Sequence, residues 1–143
     1  MTETYDNAPL PDRMTLLVPH AAALGITLVS LEKGRGVMRV AWREDLVGDP
    51  DTDVIASGVV TALIDHTCGL AINSAAEAPM PIATLDLRID YLRAAGPRLG
   101  ITAEAHGYKL TRSVGFVRAQ AWDVESGDPV ATAQAAFMLN PRG

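Results

Sequence analysis

The side chain most able to do chemistry in this sequence is Asp65, because of where it stands. It is the only Asp, Glu, Lys or Arg between Val54 and Ala76, the most apolar window of the chain. An ionised carboxylate is costly to bury unless hydrogen bonds satisfy it, and desolvation pushes its pKa up toward the range of a working base. Asp65 is therefore either a catalytic carboxylate or a structural one that takes backbone N–H bonds from a neighbouring loop or reaches water at an open edge. His66, beside it, reads as an edge residue rather than a base. Cys68 has no basic neighbour in sequence to lower its pKa and reads as a buried, inert thiol.

The window that carries Asp65 reads as a helix, stopped by Ala78-Pro79-Met80-Pro81. On a wheel of about 100° per residue, Val59, Val60, Leu63, Ile64 and Leu70 gather on one arc, the side expected to face a sheet. The opposite stripe holds Gly58, Thr61, Ala62, Asp65, Cys68, Gly69 and Ile72, with no long charged side chain. Solvent-facing helix surfaces normally carry such chains, so another backbone, a partner subunit or a ligand is expected to cover this stripe.

Around the helix the apolar period is mostly two. Met1 to Pro11 reads as a frayed tail without the basic and apolar regions of a signal peptide. A short helix is expected near Asp12 to Val18, with Asp12 as N-cap and a break at Pro19-His20. Ile26–Leu31 and the alternation of Met38, Val40 and Trp42 form a hairpin about Lys33-Gly34-Arg35-Gly36. Glu44 to Asp53, with five acids, a glycine and a proline, reads as a loop. After the long helix come four strands: Thr84–Tyr91, Leu99–His106, Val114–Val124 and Val130–Leu139. Consecutive strands with one interposed helix make the fold α+β with an antiparallel sheet, since a doubly wound parallel sheet needs a repeated strand-helix-strand rhythm.

Composition excludes several functions. The 143 residues fit a single domain, 48% apolar and 20% charged. Seventeen acids against twelve Lys and Arg give a net charge of −5, which argues against sequence-independent nucleic-acid binding. One cysteine excludes an intrachain disulfide and a four-cysteine zinc site, and a reducing, cytoplasmic setting fits best. Asp65 and His66 interrupt the apolar window, so no membrane span is expected. No metal and no cofactor is expected.

Two segments resemble a known family. Ser57-Gly58-Val59-Val60-Thr61-Ala62-Leu63-Ile64-Asp65 is similar to the helix start of the hotdog-fold thioesterases, in particular the phenylacetic-acid-pathway (PaaI-like) branch acting on acyl-CoA or aryl-CoA thioesters. Thr84-Leu85-Asp86-Leu87-Arg88-Ile89-Asp90-Tyr91-Leu92-Arg93 is similar to the strand that follows. Thr111-Arg112-Ser113 with Phe116-Val117, and Ala131 to Met138, are weaker matches. The resemblance implies a hotdog fold: a curved antiparallel sheet wrapped around one long central helix, homodimers or dimers of dimers, and sites at the subunit interface.

It also implies roles. Asp65 would activate water or attack the thioester, and the N–H groups of Ser57 and Gly58 would polarise its carbonyl, as the unpaired amides and dipole of a helix start can. Thr84 matches a hydroxyl position that helps hold the water or the acid. Residues 80 to 122 hold six basic against three acidic side chains, and within them Arg112 with Ser113, then Arg93, are expected to contact the CoA phosphates. The sequence departs from the family where its usual His-Gly-Gly becomes Ala56-Ser57-Gly58, and where an upstream asparagine is replaced by Pro50. A non-catalytic acyl-CoA binding protein is the alternative this leaves open, and a hydratase ranks last because His20, His66 and His106 carry no dehydratase motif.

Overall fold

The computed structural model describes Pro9, Leu10, Thr15 and residues 17–141. A short helix α1 (Pro19–Leu24) ends at Gly25, whose φ of 73° closes it in the left-handed region. The hairpin β1 (Ile26–Glu32) and β2 (Arg35–Val40) follows, then a 3-10 turn at Glu44–Leu46 and a two-stranded ribbon of β3 (Val47–Asp49) and β4 (Val54–Ile55). The long helix α2 (Ser57–Ala75) comes next. Then come β5 (Ile82–Tyr91), β6 (Ile101–Leu110), β7 (Val114–Trp122) and β8 (Ala131–Leu139).

Six strands form one sheet in the order β1-β2-β6-β7-β8-β5, every neighbouring pair antiparallel. All six touch α2. Five strand spacings of about 4.8 Å make a sheet some 24 Å wide, whereas a helix with its side chains is only about 10–12 Å across. Contact along the whole width therefore requires the sheet to curl around the helix, which is the α+β hotdog arrangement expected from the resemblance. Alanines make this close approach practicable. Ala103, Ala105, Ala121, Ala131, Ala133 and Ala135 line the helix-facing side of the middle strands, all buried. At Gly36 and Gly115 a β-carbon would stand 2.9 Å from Leu70 Cδ2 and 2.8 Å from Ile72 Cδ1.

Three expectations need correction. Pro19 opens a helix rather than breaking one, because at the first helical position its missing N–H is not required and its φ already suits the turn. The acidic stretch 44–53 is not plain loop: it contains the 3-10 turn and β3. Val54 and Ile55 pair as β4 and the helix starts at Ser57. The uncharged stripe is covered in its second half by the chain's own sheet, as expected: residues 67 to 73 are buried, Cys68 and Ile72 at 0% exposure. The tail over Met1–Pro11, apart from Pro9 and Leu10, and most of the helix expected at Asp12–Val18 lie outside the described residues. Among the described residues, no helix is long and apolar enough to cross a membrane.

Candidate active site

Asp65 sits in the third turn of α2, half-buried, on the side that faces β5. Thr84 Oγ1 donates to its Oδ1 at 2.9 Å. A bulge in β5 makes this contact compatible with the core. Strict alternation would send Thr84 and Leu87 to opposite faces, but the register shifts between Thr84 and Asp86. Thr84 can then meet the helix while Leu87 packs against the core, and Leu85 is turned out to 52% exposure. Among the described residues Thr84 is the one side-chain partner of Asp65, which leaves its second oxygen open. The structure brings these two sequence-predicted site residues together.

The start of α2 is built differently. Its N-cap, Ala56, offers no side-chain acceptor. The Ala56 carbonyl takes the N–H groups of Val59 and Val60, at 3.0 and 3.4 Å, and among the described residues the amides of Ser57 and Gly58 meet no acceptor. Both residues are exposed, and a β-carbon on Gly58 would meet nothing within 4 Å. The turn itself is fixed from below: Ala56 N–H donates to the Leu46 carbonyl at 2.9 Å, and Gly48 lies so near Ala56 that a β-carbon there would sit 2.9 Å from its Cα. Trp42 Nε1 and the Arg98 N–H hold the Asp53 carbonyl at 2.8 and 2.9 Å, securing the loop that enters the helix.

Tyr91 and Thr61 complete this end and were not picked out as site residues by sequence. Tyr91 Oη donates to the Ser57 carbonyl at 2.9 Å and lies 2.6 Å from Thr61 Oγ1, whose hydroxyl reaches the same carbonyl at 3.1 Å. The available signal was the register: Tyr91 shares the inward alternation of Leu87 and Ile89 yet carries a hydroxyl.

The residues expected to meet CoA fall elsewhere. Arg112 and Ser113 are exposed in the turn between β6 and β7. Gly115 pairs with Phe137 and Phe137 with Thr84, so that turn lies at the Thr84 end of the sheet, two strands or about 10 Å across. Arg93 is committed within the chain. Its five N–H groups go to Asp123 Oδ1 (2.6 Å) and Oδ2 (3.0 Å), Asp128 Oδ1 (3.2 Å), and the carbonyls of Ala94 (3.0 Å) and Asp128 (2.7 Å). The Arg93 guanidinium, with the Gly96 and Val124 N–H groups, holds the Asp123 carboxyl well below the usual carboxylate range, and the same pairing raises Arg93. This correction has a plain cause: Asp123 is thirty positions away and nothing local announces it.

His66 is half-buried on α2. Burial, aided by the charge of Asp65, pushes the Cys68 thiol up to about 12, so it is not a nucleophile at neutral pH. Among the described residues no group of three His, Cys, Asp or Glu could hold a metal ion.

The chain as a whole has recognisable kin. The family described as Thioesterase superfamily matches residues 53–130, more than half of the sequence. A Halobacterium salinarum protein named as a candidate esterase is 32% identical over 95 residues, a stretch covering 64% of this chain and 62% of that relative's length. A solved protein from Pseudomonas aeruginosa superposes with a TM-score of 0.81 at 31% identity, covering 91% of this chain and 98% of the other. A mutant of the phenylacetic acid degradation protein PaaI from Thermus thermophilus gives 0.72 at 27% identity, covering 84% and 97%.

Proposed function

This chain belongs to the thioesterase superfamily, and from that premise we propose that it hydrolyses acyl-CoA or aryl-CoA thioesters, as a PaaI-like member, at a site shared between two copies. The observation that carries the reading is the Thr84–Asp65 contact. It pins one carboxylate oxygen and, among the described residues, leaves the other without a partner, on the side of the helix that meets the edge strand β5. Asp65 takes a proton from water, and the oxygen adds to the thioester carbonyl as the Ser57 and Gly58 amides receive the developing negative charge. The C–S bond then breaks, and the thiolate of CoA collects the proton that Asp65 holds, leaving free acid and CoA thiol.

The two halves of this machinery cannot serve one carbonyl within one chain. Eight residues of helix separate Ser57 from Asp65, about 12 Å along the axis, while reacting atoms must approach to about 3–3.5 Å. A carboxylate that leans back toward the helix start shortens this by only a few ångströms. A second copy supplies the missing half if it docks along β5. That strand spans ten residues at the sheet edge, with one side unpaired among the described residues and with Leu85 and Tyr91 about half exposed. The CoA phosphates then fall to Arg112 and Ser113, because Arg93 has no donor left.

Asp65→Asn is the test. It preserves an acceptor for Thr84 and removes only the base, so turnover of a panel of acyl-CoA and aryl-CoA thioesters, followed by thiol release, falls about 100-fold or more. Retained activity refutes the assignment. Wild-type binding of CoA esters without hydrolysis would instead make this a non-catalytic acyl-CoA binding protein. Light scattering at micromolar concentration is expected to find a dimer or larger, and a fully active monomer would rule out the shared site.

A further inference from the structure

The helix start must hold its two open amides in place without a side-chain cap, and β5 supplies a tie from outside the helix. Tyr91 is the last residue of that strand and 48% exposed, so it is not a core filler. A phenylalanine would cover the same apolar surface. What tyrosine adds is the O–H, and that group reaches the Ser57 carbonyl at 2.9 Å and Thr61 Oγ1 at 2.6 Å. Thr61 in turn approaches the same carbonyl at 3.1 Å. Three oxygen contacts are served by only two protons, so the hydroxyls share a single backbone acceptor and work as a unit.

The carbonyl they grip belongs to the residue whose own N–H is one of the two open donors. That carbonyl shares a peptide plane with the Gly58 N–H, so fixing it sets the direction of the Gly58 amide directly and constrains the Ser57 N–H through the backbone dihedrals of Ser57. We propose that Tyr91, with Thr61, is a positioning residue that sets the direction of the Ser57 and Gly58 amides toward a thioester carbonyl. The inference rests on the reading of those amides given above and extends it to a residue that never touches the substrate. It also identifies what takes over from the histidine that the family resemblance leads one to expect at Ala56.

Tyr91→Phe keeps the ring and deletes the O–H. Amides that hold the carbonyl mainly in the transition state act on kcat, so with benzoyl-CoA or hexanoyl-CoA kcat is expected to fall about 10-fold, or about 1.4 kcal/mol, with KM unchanged. Thr61→Val should lose a similar factor, and the double variant should lose little more, because both hydroxyls serve one acceptor. A spectroscopic readout separates positioning from mere support of the fold. In the Asp65→Asn background, where bound thioester persists, the infrared C=O band of bound benzoyl-CoA lies below its free frequency, and adding Tyr91→Phe moves it back toward the free value. Unchanged kcat and an unmoved band in Tyr91→Phe, compared at a temperature where both proteins are folded, would overturn the proposal while leaving the Asp65 assignment standing. A raised KM with unchanged kcat would overturn it too, making Tyr91 a binding group. If Asp65→Asn itself stays active, the underlying reading fails first.

Discussion

Asp123→Ala is expected to cost about 3 kcal/mol of folding stability and to do so in a pH-dependent way. The Asp123 side chain is 4% exposed and accepts four N–H groups: two from Arg93, one from Gly96 at 2.8 Å and one from Val124 at 2.8 Å. Removing one partner of a buried ion pair typically costs about 3–5 kcal/mol. The lower end applies, because the Arg93 side chain is 31% exposed and water can take over part of its hydration. For a chain of this size about 3 kcal/mol corresponds to a fall in Tm of roughly 6–12 °C. The pH dependence follows from the direction of the shift. The folded chain holds Asp123 well below the ordinary carboxylate range, so as pH falls the unfolded chain takes up the proton first. The stabilisation is complete above the unfolded pKa of about 3.9 and is lost as pH drops below it toward the folded value. Urea unfolding of wild type and Asp123→Ala at pH 7 and at several lower pH values measures both effects. A deficit at pH 7 below about 1 kcal/mol, the scale of an exposed pair, or one that does not shrink in acid, would refute the argument.

Two further substitutions separate chemistry from folding. Gly58→Ala meets open space, so its melting temperature should match or slightly exceed that of wild type, alanine being the better helix former. On the proposed mechanism the added methyl stands beside an amide that would receive the carbonyl, so kcat/KM should fall about 10-fold or more; full activity would place the carbonyl elsewhere. Thr84→Val leaves Asp65 without its donor. A hydrogen bond to a charged group contributes about 1.5–3 kcal/mol, and steady-state kinetics should accordingly reveal a loss of roughly 10- to 100-fold in kcat, whereas an unaltered kcat would mean that Thr84 is an ordinary strand threonine.

Much of this molecule was legible in one dimension, for physical reasons that also explain the failures. Period-two alternation located β5 to β8 because each of these strands has one face on a helix and one away from it. The wheel put Val59, Val60, Leu63, Ile64 and Leu70 on the buried side correctly. The opposite stripe at Cys68, Gly69 and Ile72 is covered as its lack of charge implies, and the cover there is the same sheet, which curls around the helix and presents it with a second contact face. Asp65 stood out because a charge in an apolar window is rare. Its partner Thr84 emerged only through family resemblance, for a threonine in a strand is unremarkable and the bulge that aims it has no glycine to mark it. The pairing of Arg93 within the chain is illegible for a reason of the same kind. A basic side chain in a basic segment looks available, and only the folded chain brings Asp123 and Asp128 to it. Tyr91 reads in the sequence as a member of an apolar row with no assigned role for its hydroxyl, because the acceptor it finds belongs to the backbone of another element.

The inertness of Cys68 has a use. With its only thiol sealed in the interior and held protonated, the native surface is blank to maleimides and similar thiol reagents. A cysteine engineered at outward-turned Leu85 would be the sole reporter on the molecule, and a disulfide or short crosslink between two such reporters would test whether two copies meet along that edge without any background to subtract.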